Sequence, residues 1–244
     1  MSTTTFGALN SAISSSADAA NTAILAADWD RLGPTFGEAI VDTLVMVSVT
    51  LVVGGILGLA IGVLLYTTRA GGILQNKAFY TLLNVLVNFV RPIPFIIMIT
   101  AFGPLTLAVV GTTIGREAAM FIMSIAATFG VARIVEQNLV AIDPGVIEAA
   151  RSMGASPWQI ITTVIIPEAL GPLVLGYTFI FIAIVDMSAM AGYIGGGGLG
   201  DFAIVYGYRA YDWEVTYVAT FVIILIVQVA QLFGNWLSKK IMRR

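Results

Sequence analysis

Long apolar runs broken by short polar stretches organise this chain. Residues 41–66 carry no charge after Asp42, and the run exceeds the roughly 20 residues a helix needs to cross a hydrocarbon core of about 30 Å. The same criterion predicts spans at about 118–139, 169–190 and 215–237. In the span at 118–139, Arg133 and Glu136 put the last turns in the polar zone. The stretch 78–110 is harder to divide, because it holds Arg91-Pro92-Ile93-Pro94. A charge at mid-bilayer is costly, and proline is best tolerated in the first turn of a helix. Arg91 is therefore expected at the interface, with 78–90 as an amphipathic approach and 92–110 as the second span. The pattern reads as an all-α integral membrane protein with five transmembrane helices. Within the first span, Gly54, Gly58 and Gly62 recur every four residues, so they share one stripe on which another helix can approach closely.

Composition agrees with this pattern. Hydrophobic residues make up 58% of the 244 positions and charged residues 11%, with a mean hydropathy of +0.94. That leaves room for one membrane domain, 38–244, and for no soluble domain of ordinary size. Residues 1–37 are rich in Ser, Thr, Ala and Asn at their start, with no basic residue before Arg31, and are expected to form a flexible extracytoplasmic tail. With neither cysteine nor histidine, the chain lacks disulfides, thiolate metal sites and the usual near-neutral proton carrier. No phosphate-binding loop of the Gly-x-x-x-x-Gly-Lys-Ser/Thr type occurs, so no catalytic, cofactor or metal residues are assigned and any ATP-driven motor must be another chain. Basic residues set the orientation. With the C-terminus in the cytoplasm, Arg69, Lys77, Arg91, Arg133, Arg151, Lys239, Lys240, Arg243 and Arg244 fall inside and only Arg31, Arg116 and Arg209 outside.

The polar stretch 141–168 then lies in the cytoplasm. Asp143-Pro144 offers an N-cap followed by proline at the first helical position, which starts a helix carrying Glu148, Ala149, Ala150 and Arg151. Gly154 ends it. After Ala155, Ser156-Pro157-Trp158-Gln159 supplies a second start, with serine at the cap and glutamine three residues on to close a capping box. The result is helix, glycine turn, helix, running to Pro167, and rigidly joined to two spans.

These residues resemble the cytoplasmic coupling loop of bacterial ABC-importer permeases. The family pattern is Glu-Ala-Ala, three residues, Gly, nine residues, Ile, any residue, Leu, Pro. Glu148, Gly154 and Pro167 keep that spacing, while Val164 and Ile166 are conservative departures at the Ile and Leu positions. A second Glu117-Ala118-Ala119 has Met123 where the glycine belongs, so the spacing and not the tripeptide carries the resemblance. From about residue 35 onward the chain is similar to methionine-importer permeases, through Tyr66 to Gly72, Arg91 to Phe95, Val110 to Gly115, Ala149 to Ala155, Ser188-Ala189-Met190, Gly197 to Gly200 and Tyr206-Gly207-Tyr208.

The resemblance implies a type I ABC importer permease fold in a bacterial inner membrane. It implies a homodimer with two ATP-binding subunits, which hold the ATP and Mg, and an extracytoplasmic substrate-binding protein, with transport by alternating access. The docking contacts would come from Glu148, Ala149, Ala150, Arg151, Gly154, Ala155, Ser156, Pro157 and Pro167, with the alanines and Gly154 allowing close approach to the partner. A permease for another small amino acid is the alternative. A secondary transporter would need an internal repeat and ion-coupling groups, and an intramembrane enzyme paired catalytic groups; neither is found.

Asp186, Met187, Ser188 and Met190 end the fourth span just before a glycine-rich segment and are the candidates for the translocation path and gate. An acid near the end of a span is a functional hypothesis by default, and the family pattern carries a small neutral residue at this position. Asp186 either meets the ammonium of a passing amino acid, pairs with Arg209, or sits in water at the outer end. The glycines at 195–198 are expected to make a tight re-entrant turn.

Overall fold

The first helix of the computed structural model, which describes residues 27–242, is longer than the apolar run that predicts it. Helix α1, Trp29–Thr68, has 40 residues and starts where the Asp28 side chain accepts a hydrogen bond from the Arg31 backbone N–H. Residues 29–37, expected in the flexible tail, are thus helical, while 1–26 lie outside the described residues. The cause is a stripe the hydropathy run does not register: Trp29, Leu32, Phe36, Ala39 and Ile40 pack on Leu199, Phe202, Val215 and Ala219. The Trp29 indole N–H donates to Glu214 at 2.9 Å, tying the start of α1 to that of the last helix.

After a turn at 69–76, Asn76 caps α2, Lys77–Val90, accepting from the Phe79 N–H at 3.1 Å. At Arg91–Pro94 the chain bends by 105° into α3, Phe95–Ala101. Here the sequence expectation needs correction. The stretch 92–110 is not one helix: Phe102, at φ −89° and ψ 5°, breaks it before α4, Gly103–Val110. Pro104 supplies the reason, since in a continuous helix it has no N–H to donate to the Thr100 carbonyl and its ring would clash with that carbonyl, whereas near the start of a new helix proline is tolerated. Among the described residues four helices are long and apolar enough to cross a membrane, and a fifth span is reached if the bent α2–α3 pair counts as one.

The remaining elements are α5, Arg116–Val140; α6, Pro144–Ser152; α7, Pro157–Ile194; α8, Gly198–Phe202; and α9, Trp213–Met242. Helix α7 opens with one α turn, passes through a π-helical stretch at Ile160–Ile165, and ends in a 3-10 turn at Gly192–Ile194. The second loop helix, expected to run to Pro167 and join the fourth span there, continues into that span through Pro167. The proline ring would clash with the Thr163 carbonyl in a regular helix, and the wider π turn just before it lets the helix continue.

The core is built on α1 against α5, along the predicted glycine stripe. A Cβ at Gly58 would lie 2.5 Å from Val131 Cβ and 2.7 Å from the Thr128 carbonyl oxygen; one at Gly62 would lie 2.6 Å from the Ala132 carbonyl oxygen. Helix α7 completes the core, and its Tyr177 hydroxyl donates to the Gly55 carbonyl at 2.7 Å. Arg133 and Glu136, which the sequence reading puts at the polar end of this span, are drawn into its packing. They pair at 2.6 Å, Arg133 also reaches Asn84 of α2 at 3.4 Å, and Glu136 is buried. Such a pair offsets part of the desolvation cost that each charge carries alone.

Candidate functional site: a capped loop at one end of α7 and a charged cavity at the other

The loop between α5 and α7 has the local structure its caps dictate. Asp143 Oδ1 accepts from the Gly145 N–H at 2.8 Å and Pro144 occupies the first helical position of α6. Gly154 follows the helix at φ +79°, a left-handed conformation that glycine adopts without a Cβ penalty. The Ala155 N–H then closes back on the Ala150 carbonyl at 3.2 Å. Two residues later the capping box is complete: Gln159 N–H donates to Ser156 Oγ at 3.4 Å, and Ser156 N–H donates to Gln159 Oε1 at 2.8 Å.

Burial divides the loop into two faces. Ile142, Ala150, Ile160, Ile161 and Ile165 join the main core, with Ile147 and Ala155 packed against it. Glu148, Ala149, Arg151, Gly154, Ser156 and Pro157 are exposed, and beside them Met153 and Trp158 keep 81% and 72% of their surface open. Two sequence expectations change. Ala150 turns to its own chain at 4% exposure, so its smallness serves packing under α6 and not approach of a partner. Pro167 lies within α7, where it lines a cavity with Glu168, Gly171 and Lys240. The decoy behaves differently: Ala118 and Ala119 are fully buried in the first turn of α5.

Sequence reasoning also missed a neighbour. The α1–α2 turn meets α6 around a small cleft of about 110 Å³, between Tyr66, Arg69, Gly72, Ile147, Glu148 and Arg151. The Arg69 guanidinium lies 4.4 Å from the centre of the Tyr66 ring. Nothing in the spacing of residues eighty positions apart announces this contact.

At the far end of α7, about 50 Å along the helix at 1.5 Å per residue, the four gate candidates separate. Asp186 and Met190 face a cavity of about 610 Å³ together with Ala189. Ser188 points away, buried, with its hydroxyl donating to the Val185 carbonyl at 2.7 Å, and Met187 packs on the main core. The glycine run makes the expected tight turn, with left-handed backbone at Gly195, Gly197 and Gly198. Its seat on α1 was not foreseen: the Leu199 N–H donates to Thr43 Oγ1 at 2.8 Å. Asp186 and Arg209 line the same cavity without an ion pair between them. Outside the spanning helices, burial raises the Asp201 carboxyl above the ordinary carboxylate value and the Arg209 charge opposes the rise. Among the described residues no group of three or more His, Cys, Asp or Glu side chains is placed to hold a metal ion.

The comparisons agree with one another. Residues 54–243 match the family model described as "Binding-protein-dependent transport system inner membrane component". The chain is 42% identical over 203 residues to the probable D-methionine transport system permease protein MetI of Vibrio cholerae, covering 83% of this chain and 90% of the relative. It is 42% identical over 181 residues to the methionine import system permease protein MetP of Bacillus subtilis, covering 74% and 82%. Its fold superposes on a chain of the inward-facing MetNI methionine ABC transporter with a TM-score of 0.84 at 38% identity, covering 86% of this chain and 98% of that one. The family match takes in well over half of the chain and the Vibrio relative aligns over 83% of it, so the chain belongs to the binding-protein-dependent transport system inner membrane component family.

Proposed function

We propose that this chain is the membrane permease subunit of an ATP-driven importer that carries methionine, D-methionine included, into the cell by alternating access. It works as a homodimer with two ATP-binding subunits and receives its cargo from an extracytoplasmic binding protein. ATP and Mg are bound by the partner. The observation that carries this reading is the exposed face of α6, fixed by two caps and joined to α7 through a short glycine turn. A push on that face is carried along α7 to its far end, where Asp186 and Met190 lie. Relatives named for methionine transport supply the substrate.

The loop end is cytoplasmic and the start of α1 extracytoplasmic, a reading supported by the nine basic residues that this orientation places inside. Glu148, Ala149, Arg151 and Gly154, with Met153 and Trp158, form the surface that seats on the ATPase. Met190 closes the path near its outer end, where a flexible thioether can yield to an apolar cargo.

Gly154→Trp tests the docking surface. The substitution places a large side chain on the exposed loop and strains a φ of +79°, at about 1–2 kcal/mol. It is expected to prevent co-purification with the ATP-binding subunit while membrane insertion is unchanged. Gly154→Asn, which tolerates the left-handed conformation, should retain the complex. Normal recovery of the complex with tryptophan in place would contradict the docking role.

A further inference from the structure

The cavity at the far end of α7 is more specifically equipped than a gate requires. Three separate segments wall it: Ile96 from α3, Asp186 and Met190 from α7, and Asp201, Ile204 and Arg209 from the stretch after the glycine turn. Its volume of about 610 Å³ falls in the range of small-ligand sites, roughly 300–1,000 Å³. The acid of α8 is held close to α7, since a Cβ at Gly192 would lie 2.7 Å from Asp201 Cβ. Two carboxylates and one guanidinium therefore border one concavity, and none of them is engaged in an ion pair among the described residues. The rest of the wall is apolar or aromatic, from Ile96, Met190, Tyr193 and Ile204.

We infer that this cavity is a binding site for a free amino-acid zwitterion, with the ammonium taken by Asp186 and Asp201, the carboxylate by Arg209, and an unbranched apolar side chain by Met190, Ile96 and Ile204. The inference rests on the permease reading and adds to it a place in the membrane subunit where cargo pauses after leaving its carrier. A capped or peptide-bonded amino acid lacks one of the two charges and leaves a carboxylate or the guanidinium unmatched, so the site selects free amino acids. Groups of opposite charge brought together outside bulk water make charge-assisted hydrogen bonds, which are stronger than neutral ones.

The test uses the full complex with its ATP-binding subunits in nanodiscs, without the extracytoplasmic protein. Three probes are titrated: methionine, its amide, which lacks the carboxylate, and its deaminated analogue, which lacks the ammonium. The unaltered complex is expected to bind methionine about 10-fold or more tightly than either analogue, the size of one charged hydrogen bond. Arg209→Gln should erase the preference over the amide and keep the preference over the deaminated analogue; Asp186→Asn and Asp201→Asn should do the reverse. A merely structural role for these residues would weaken all three probes alike. Equal binding of the three probes, equal weakening by the substitutions, or no binding at all would overturn the site. ATP-driven uptake from the loaded binding protein is measured on the same preparation. Uptake with flat discrimination removes the zwitterion site alone, whereas absent uptake by the unaltered complex removes the permease reading and the site with it.

Discussion

Gly58→Leu is expected to lower the thermal midpoint and the amount of permease recovered from the membrane, while Gly37→Leu on the same helix leaves both unchanged. At Gly58 the first carbon of any side chain would already lie 2.5 Å from Val131 Cβ and 2.7 Å from the Thr128 carbonyl oxygen. The neighbour at 2.7 Å is backbone, so rotation of a flexible side chain gives no relief. Leucine must push α1 from α5 along the longest helix contact of the fold, undoing the Gly54 and Gly62 approaches with it. Overpacking in a tight core costs about 1–3 kcal/mol and sometimes more, against a total stability of about 5–15 kcal/mol. At Gly37 a Cβ meets nothing within 4 Å. Immunoblotting of membrane fractions and a thermal shift in detergent compare the two; equal amounts and equal midpoints would show that the stripe does not hold α1 to α5.

The second large effect separates two adjacent alanines. Ala149→Trp is expected to lower ATP-driven uptake about 100-fold with the permease still folded, because Ala149 is exposed on the face of α6 proposed to meet the ATPase. A bulky group at the centre of such a contact costs about 2–4 kcal/mol of association, which is roughly 30- to 1,000-fold. Ala150→Asp should instead destabilise the permease itself. Ala150 is 4% exposed against its own core, and an unpaired charge left in such a place costs about 3–5 kcal/mol. The readouts are uptake, recovery of the complex, and the thermal midpoint of the permease alone. If the tryptophan variant lost folding and the aspartate variant lost only the partner, the two faces of α6 would be assigned the wrong way round.

What was legible in the sequence follows from how far apart the interacting residues lie. The Asp143 cap, the Gly154 turn and the Ser156 to Gln159 box are settled within a few positions, and each stands where the residues indicate. The apolar run to Tyr66 and the glycine stripe were equally readable, because a helical period places Gly54, Gly58 and Gly62 on one side whatever they meet. The start of α1 was hidden because the partners of Trp29 and Phe36 lie beyond residue 190. The break before α4 was written in Gly103-Pro104, whose cost to a continuous helix outweighs the uninterrupted hydropathy around it. Among the gate candidates the same helical period separates Asp186 and Met190 from Ser188, which shares its face with Val185 and Ala191 and is buried with them. The cavity they border required the fold, since α3 and the stretch around Arg209 are about a hundred residues apart in the chain.

That this subunit moves cargo only when its loop is driven is decided by uptake into vesicles. Labelled methionine bound to the extracytoplasmic protein is presented to proteoliposomes that hold the permease with or without its ATP-binding subunit, and with or without enclosed ATP. Accumulation is expected only when the binding protein, the ATP-binding subunit and ATP are all present. Accumulation in vesicles that hold the permease alone would contradict the account.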